Sequence, residues 1–97
     1  MMRRQGYVPT TEASRYLQRL CYHFTRKIRV DYDEQRGEAH FPWGLCVLRA
    51  DSAALHFDCS ADDDACLARV QFAIDSHVEL FSRKSPVAVC WQSVESI

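Results

Sequence analysis

The feature that most constrains the fold is a change of hydrophobic period at Ile28. Before this residue, apolar side chains recur at three- and four-residue steps, which predicts a helix that starts at Thr10 or Thr11 with a threonine as its cap. Its apolar positions are Ala13, Tyr16, Leu17, Leu20, Cys21, Phe24 and Ile28. From Ile28 onward, Val30 and Tyr32 alternate with charged residues, as in a strand with one exposed face. The chain is therefore expected to combine helix and sheet.

Three further short segments with turn residues between them follow this strand. Alternation predicts a second strand over 38–43. Pro42 cannot donate to a neighbouring strand, so it is expected to end this strand or to lie on its edge side. Apolar runs predict strands over 45–50 and 53–59, joined by a two-residue turn at Asp51 and Ser52. That turn pairs Leu48 with Leu55 and Cys46 with Phe57 on the core face.

A second helix is predicted after Ser60, which forms a capping box with Asp63. Its apolar stripe contains Leu67, Val70, Ile74, His77, Val78 and Phe81. Arg83 and Lys84 close the helix, Ser85–Pro86 ends it, and a last strand is expected over 87–91. The order α-β-β-β-β-α-β predicts an α+β two-layer sandwich, with a mostly antiparallel sheet of about five strands and two helices on one face.

The 97 residues suffice for one hydrophobic core. We expect a flexible N-terminal arm over 1–9, a single domain over 10–92 and a polar tail over 93–97. No apolar run approaches the length of a membrane span. Five cysteines without a C-x-x-C pair are expected to be small core residues of a cytoplasmic protein.

The net charge of -1 conceals an uneven distribution. The first 29 residues hold seven bases and the single acid Glu12, and the rest of the chain is acidic. A basic first helix makes a nucleic-acid-binding module one hypothesis, but the acidic remainder argues against it.

The four histidines, His23, His40, His56 and His77, are the candidate ligand-binding residues. No H-x-x-x-H or C-x-x-C spacing occurs, so no metal site is predicted. His77 lies on an apolar stripe, either as a core-edge residue bonded to a backbone carbonyl or as a titrating group in a cleft between helices and sheet. His23 is expected to be solvated on a basic helix face, and His40 and His56 to lie on the open face of the sheet.

No catalytic residue is predicted, because the chain has no nucleophile elbow, phosphate loop or dinucleotide motif. Catalytic groups can nevertheless come together from distant positions in the chain. An enzyme with a His77-centred pocket therefore stays open as an alternative.

Three segments resemble a known family in the identity of their residues as well as in their hydrophobic pattern. They are residues 15–27, residues 41–48, and residues 77–83 together with 89–92. They are similar to the small bacterial proteins grouped as domain of unknown function 2218. The resemblance implies no established activity and no known cofactor. Members are often encoded near, or fused to, siderophore-uptake and ferric-reductase proteins, which implies a binding or accessory module in iron metabolism.

The partner implied in this way is a small molecule or a protein of iron uptake. A homodimer formed through a sheet edge or through the sheet face is also open.

Overall fold

The computed structural model describes residues 2–82 and 87–93 of the chain. The elements are β1 (Met2–Pro9), α1 (Ala13–Phe24), β2 (Arg29–Tyr32), β3 (Arg36–Phe41), β4 (Gly44–Ala50), β5 (Ala54–Ala61), α2 (Asp64–Phe81) and β6 (Cys90–Ser93). They form an antiparallel six-stranded sheet in the order β2-β3-β4-β5-β1-β6. Both helices pack against one face of this sheet and enclose a single core. The α+β two-layer prediction is confirmed, with six strands in place of about five.

The prediction of a flexible arm over residues 1–9 is wrong. Residues 2–9 form β1, which lies inside the sheet and pairs with β5 on one side and β6 on the other. Its alternation is hidden in the sequence because the inward positions include Arg4 and Gly6 beside Val8. Gly6 is needed there, since a Cβ atom would lie 2.6 Å from Cε3 of Trp91.

The two helix starts differ from their predictions. The threonine cap of α1 is wrong: Glu12 occupies the N-cap without a side-chain bond, and Thr10 Oγ1 accepts a hydrogen bond from the Glu12 N–H at 3.0 Å. The capping box of α2 is also wrong, because Ser60 belongs to β5. Asp63 is itself the N-cap, and its carboxylate accepts from the Cys66 N–H at 2.8 Å.

The β4–β5 register is shifted by two residues from the predicted one. Leu48 pairs with Phe57, and Cys46 pairs with Cys59. The reason is Asp51, whose carboxylate accepts hydrogen bonds from the N–H groups two and three residues ahead, at 2.8 and 2.7 Å. This places Asp51 before the two-residue turn instead of within it. The shift is even, so the core face is unchanged.

The inner face of the sheet and the two helices share the buried side chains. The cysteine prediction is confirmed for Cys21, Cys46 and Cys59, whereas Cys66 is half-buried and Cys90 is exposed. All five are free thiols, and burial raises the pKa of Cys21 to about 12.

The end of the chain was predicted only in part. β6 starts three residues later than the sequence predicts. It also includes Ser93, which the sequence places in the polar tail. The predicted helix end at residues 83–86 and the remaining tail at 94–97 lie outside the described residues.

Candidate ligand-binding groove

A groove with a volume of about 310 Å³ lies where the end of α1, the middle of α2 and the β3–β4 hairpin meet. Its lining is mostly apolar and aromatic, and consists of His23, Phe24, Lys27, Ile28, Phe41, Pro42, Trp43, Ala73 and His77. Small-molecule sites have this character, with apolar walls and few polar groups. We refer to it as the His23–His77 groove.

His77 is half-buried on the groove side of α2. Its Nδ1 lies 2.7 Å from the carbonyl oxygen of Ala73, one helical turn earlier. A carbonyl can only accept, so the proton is assigned to Nδ1 and the Nε2 atom of a neutral ring keeps a free lone pair. His77 therefore offers one acceptor atom held in a defined ring orientation.

His23 lies beside His77 and is not the solvated residue that the sequence predicts. The two imidazole centroids are 4.7 Å apart, and His23 also contacts the Phe81 ring edge-on at 5.6 Å. Desolvation lowers the pKa of His23, and repulsion from His77 when that ring is protonated, and from Arg26 and Lys27, lowers it further. The ring is therefore neutral at neutral pH. The sequence could not show this contact because it depends on how α1 packs beside α2.

Aromatic rings form the opposite wall of the groove. Phe24 contacts His77 at 4.8 Å and Phe41 at 5.3 Å between ring centroids, both nearly edge-on. Phe41 is stacked almost parallel to Trp43 at 6.0 Å, and the Arg69 guanidinium lies 5.7 Å from the Trp43 ring centroid. The tight turn between β3 and β4, in which Phe41 pairs with Gly44, holds Phe41 and Trp43 next to each other.

Gly44 fixes the position of that turn. A Cβ atom at Gly44 would collide with the carbonyl oxygen of Ser60 on β5. The hairpin therefore approaches β5 more closely than any other residue type would permit. Sequence reasoning missed Phe41, Pro42 and Trp43 as groove residues, although their aromatic run was visible.

The other two candidate histidines lie on the outer face of the sheet, as the sequence predicts. His56 Nε2 is 2.7 Å from Asp51 Oδ2, and His40 Nε2 is 3.9 Å from Asp31 Oδ2. Backbone N–H groups and His56 lower the pKa of Asp51 to about 2. The structure thus brings His23 and His77 together and separates them from His40 and His56.

Comparison with known proteins agrees with this fold. Residues 5–92 match the model of an uncharacterised protein family conserved in bacteria, DUF2218. The chain belongs to that family. It is also similar to a solved NMR structure, PA4090 from Pseudomonas aeruginosa, with 29% identity and a TM-score of 0.81. That similarity covers 99% of this chain and 100% of the other.

No match is found among proteins with curated descriptions. Within residues 2–82 and 87–93, neither helix is long and apolar enough to cross a membrane.

Proposed function

We propose that this DUF2218 protein is a non-catalytic binding module whose ligand occupies the His23–His77 groove. The proposal depends on one observation. Two adjacent imidazoles line a groove whose other walls are mostly apolar and aromatic. The hydrogen-bond partner of His77 is a backbone carbonyl and not a carboxylate, which suits a positioned acceptor better than a general base.

The groove favours a small aromatic ligand that carries hydroxyl and acid groups. Its volume is near the lower limit of small-molecule sites, about 300 Å³, so one substituted ring fits better than a large cofactor. The faces of Phe41 and Trp43 can stack against such a ring. His77 Nε2 can accept from a phenolic hydroxyl, and the ammonium of Lys27 can pair with an anionic group.

This ligand class is chemically related to the iron metabolism that the family resemblance implies. Catechol and phenolate rings with acid groups are the iron-binding units of many siderophores. We therefore extend the proposal to an accessory role in siderophore metabolism, with a phenolic siderophore unit as ligand. The five free thiols suit a reducing cytoplasm as the place where it acts.

Contacts of the bases in α1 and just after it make the nucleic-acid alternative weaker. Arg15 pairs with Glu12 at 3.1 Å. The guanidinium of Arg19 lies 5.2 Å from the Phe81 ring centroid, and that of Arg26 lies 5.9 Å from the Tyr22 ring centroid. Each of these arginines already has a neighbour within the protein, and the chain beyond residue 29 is acidic.

The proposal is tested by titrating the protein with 2,3-dihydroxybenzoate while recording amide NMR spectra and tryptophan fluorescence. A Trp91→Phe background leaves Trp43 as the sole tryptophan, and its emission is expected to change saturably. His77→Phe keeps a ring of similar size but removes the acceptor, and is expected to weaken binding about tenfold, as for one hydrogen bond.

The matched control is His56→Gln, which removes an imidazole from the outer face of the sheet and should bind like the parent protein. Cyclohexanecarboxylate, a non-aromatic acid of similar size, should bind more weakly. Absence of saturable shifts at groove residues, or equal binding by the His77→Phe protein, contradicts the proposed function.

A further inference from the structure

The outer face of the sheet brings three metal-ligating side chains together, away from the His23–His77 groove. Asp31 on β2 is directly opposite Glu38 on β3, and His40 follows two residues later on the same face. One ligand atom from each of the three side chains lies within 4.8 Å of the other two. We propose that Asp31, Glu38 and His40 bind a borderline divalent cation, with Zn²⁺ as the representative ion.

The donor set decides the class of ion. One imidazole nitrogen and two carboxylate oxygens suit zinc, nickel or copper, whereas calcium and magnesium prefer six or more oxygen ligands. Zinc bonds of about 2.0–2.2 Å place tetrahedral ligands about 3.5 Å apart. His40 Nε2 is 3.9 Å from Asp31 Oδ2, and all three ligand atoms lie within 4.8 Å of one another, so side-chain rotations must bring them closer to reach that spacing. All three side chains are at least one-third exposed and free to make them.

The local charges show what a cation would replace. The carboxylates of Asp31 and Glu38 face each other across two strands, where like charges repel. Arg29 Nε lies 3.3 Å from Asp31 Oδ2, and an Arg36 guanidinium nitrogen lies 2.9 Å from Glu38 Oε1. Both arginine side chains are more than half exposed, so these ion pairs contribute little and can yield to a cation. Arg29 is the direct competitor because it contacts the carboxylate of Asp31.

The position of the site indicates what the ion would do. β2 has four residues, and among the described strands it lies at the edge of the sheet and pairs with β3 alone. A cation held by both strands would fasten this edge strand to the sheet. Three protein ligands on an exposed face also leave a coordination position for water or for a carboxylate of a partner.

The test is a titration of the untagged full chain with zinc chloride, followed by amide NMR and calorimetry. Saturable shifts are expected at Asp31, Glu38 and His40. His40→Gln and Glu38→Gln should each weaken zinc binding about tenfold or more. Arg29→Gln should strengthen it, because the substitution frees the Asp31 carboxylate.

The control is His56→Gln, which removes the other outer-face imidazole that lies beside a carboxylate and should leave zinc affinity unchanged. Thermal melts without zinc establish that each surface variant is folded. Three results would overturn the proposal: no saturation below about 1 mM zinc, shifts centred on Cys66, Cys90 or the groove histidines, or an unchanged affinity in His40→Gln. The aromatic-ligand titration of the groove is a separate measurement, so the failure of this proposal and the failure of the proposed function can be told apart.

Discussion

On the helix-covered face of the sheet, His23 and His77 contact each other and aromatic rings. On the open face, His40 and His56 lie beside carboxylates. The same residue type is thus surrounded by apolar groups on one face and by ionisable groups on the other. On the covered face, desolvation lowers the pKa of His23, whereas each imidazole on the open face has a carboxylate as its neighbour. The aromatic ligand proposed above therefore belongs to the first face, and the proposed cation belongs to the second.

The largest expected difference between the faces concerns stability. Leu48 and Val47 are neighbours on β4, with Leu48 fully buried on the inner face and Val47 half-buried on the outer one. Leu48→Ala should lower the free energy of unfolding by about 2–5 kcal/mol, because it leaves a cavity in the core. Val47→Ala should cost less than about 1 kcal/mol.

Urea denaturation of both variants measures this difference. An unchanged dependence on urea concentration would show that each variant still unfolds in two states. Equal losses in the two variants would mean that the open face is covered in solution, for example by a second copy of the chain.

Periodicity was enough to predict α1, the strands between the helices and α2, because their buried residues recur at regular intervals. β1 escaped prediction because Arg4 and Gly6 occupy two of its inward positions. The need for glycine at position 6 comes from Trp91, which is 85 residues away in the chain and so invisible to local patterns. Both partners of β1, the strands β5 and β6, lie far along the chain, so no local pattern indicated its place in the sheet.

Like the fold, the candidate site could be predicted from the sequence only in part. His77 stood out because a histidine interrupts an apolar stripe, and the structure places it in the lining of the groove. His23 gave no such signal, since its neighbours in sequence are bases and its contacts come from α2. The cluster of Asp31, Glu38 and His40 depends on strand register, which the sequence alone determines poorly.

The second prediction concerns acid stability on the open face. Three hydrogen bonds hold the Asp51 carboxylate and lower its pKa from 3.8 to about 2. The folded-state pKa is below the ordinary value, so this contribution to stability is complete above pH 3.8 and is lost as the pH falls toward about 2. Asp51→Asn retains an oxygen that accepts from Ala53 and Ala54 but does not titrate, and should therefore lose less stability across that interval.

Thermal melts from neutral pH into this acidic range measure the effect. Asp51→Ala, which lacks the acceptor, should be less stable than Asp51→Asn at every pH. Parallel losses in the parent protein and Asp51→Asn would show that Asp51 does not control the turn.

The smallest expected effect is a pH dependence on the covered face. Desolvation and nearby positive charge lower the pKa of His23 below its ordinary value of 6.5, so folding favours the neutral ring. Its contribution is complete above pH 6.5 and is lost as the pH falls through that value toward the folded-state pKa. His23→Phe keeps a ring against His77 and removes the titration, so its stability should fall less than that of the parent between about pH 7.5 and 5.5. The effect is small because His23 is only half-buried and solvent screens its charge. If His23→Phe loses as much stability as the parent protein, then His23 is as solvated as His56, and the distinction between the two faces does not extend to their histidines.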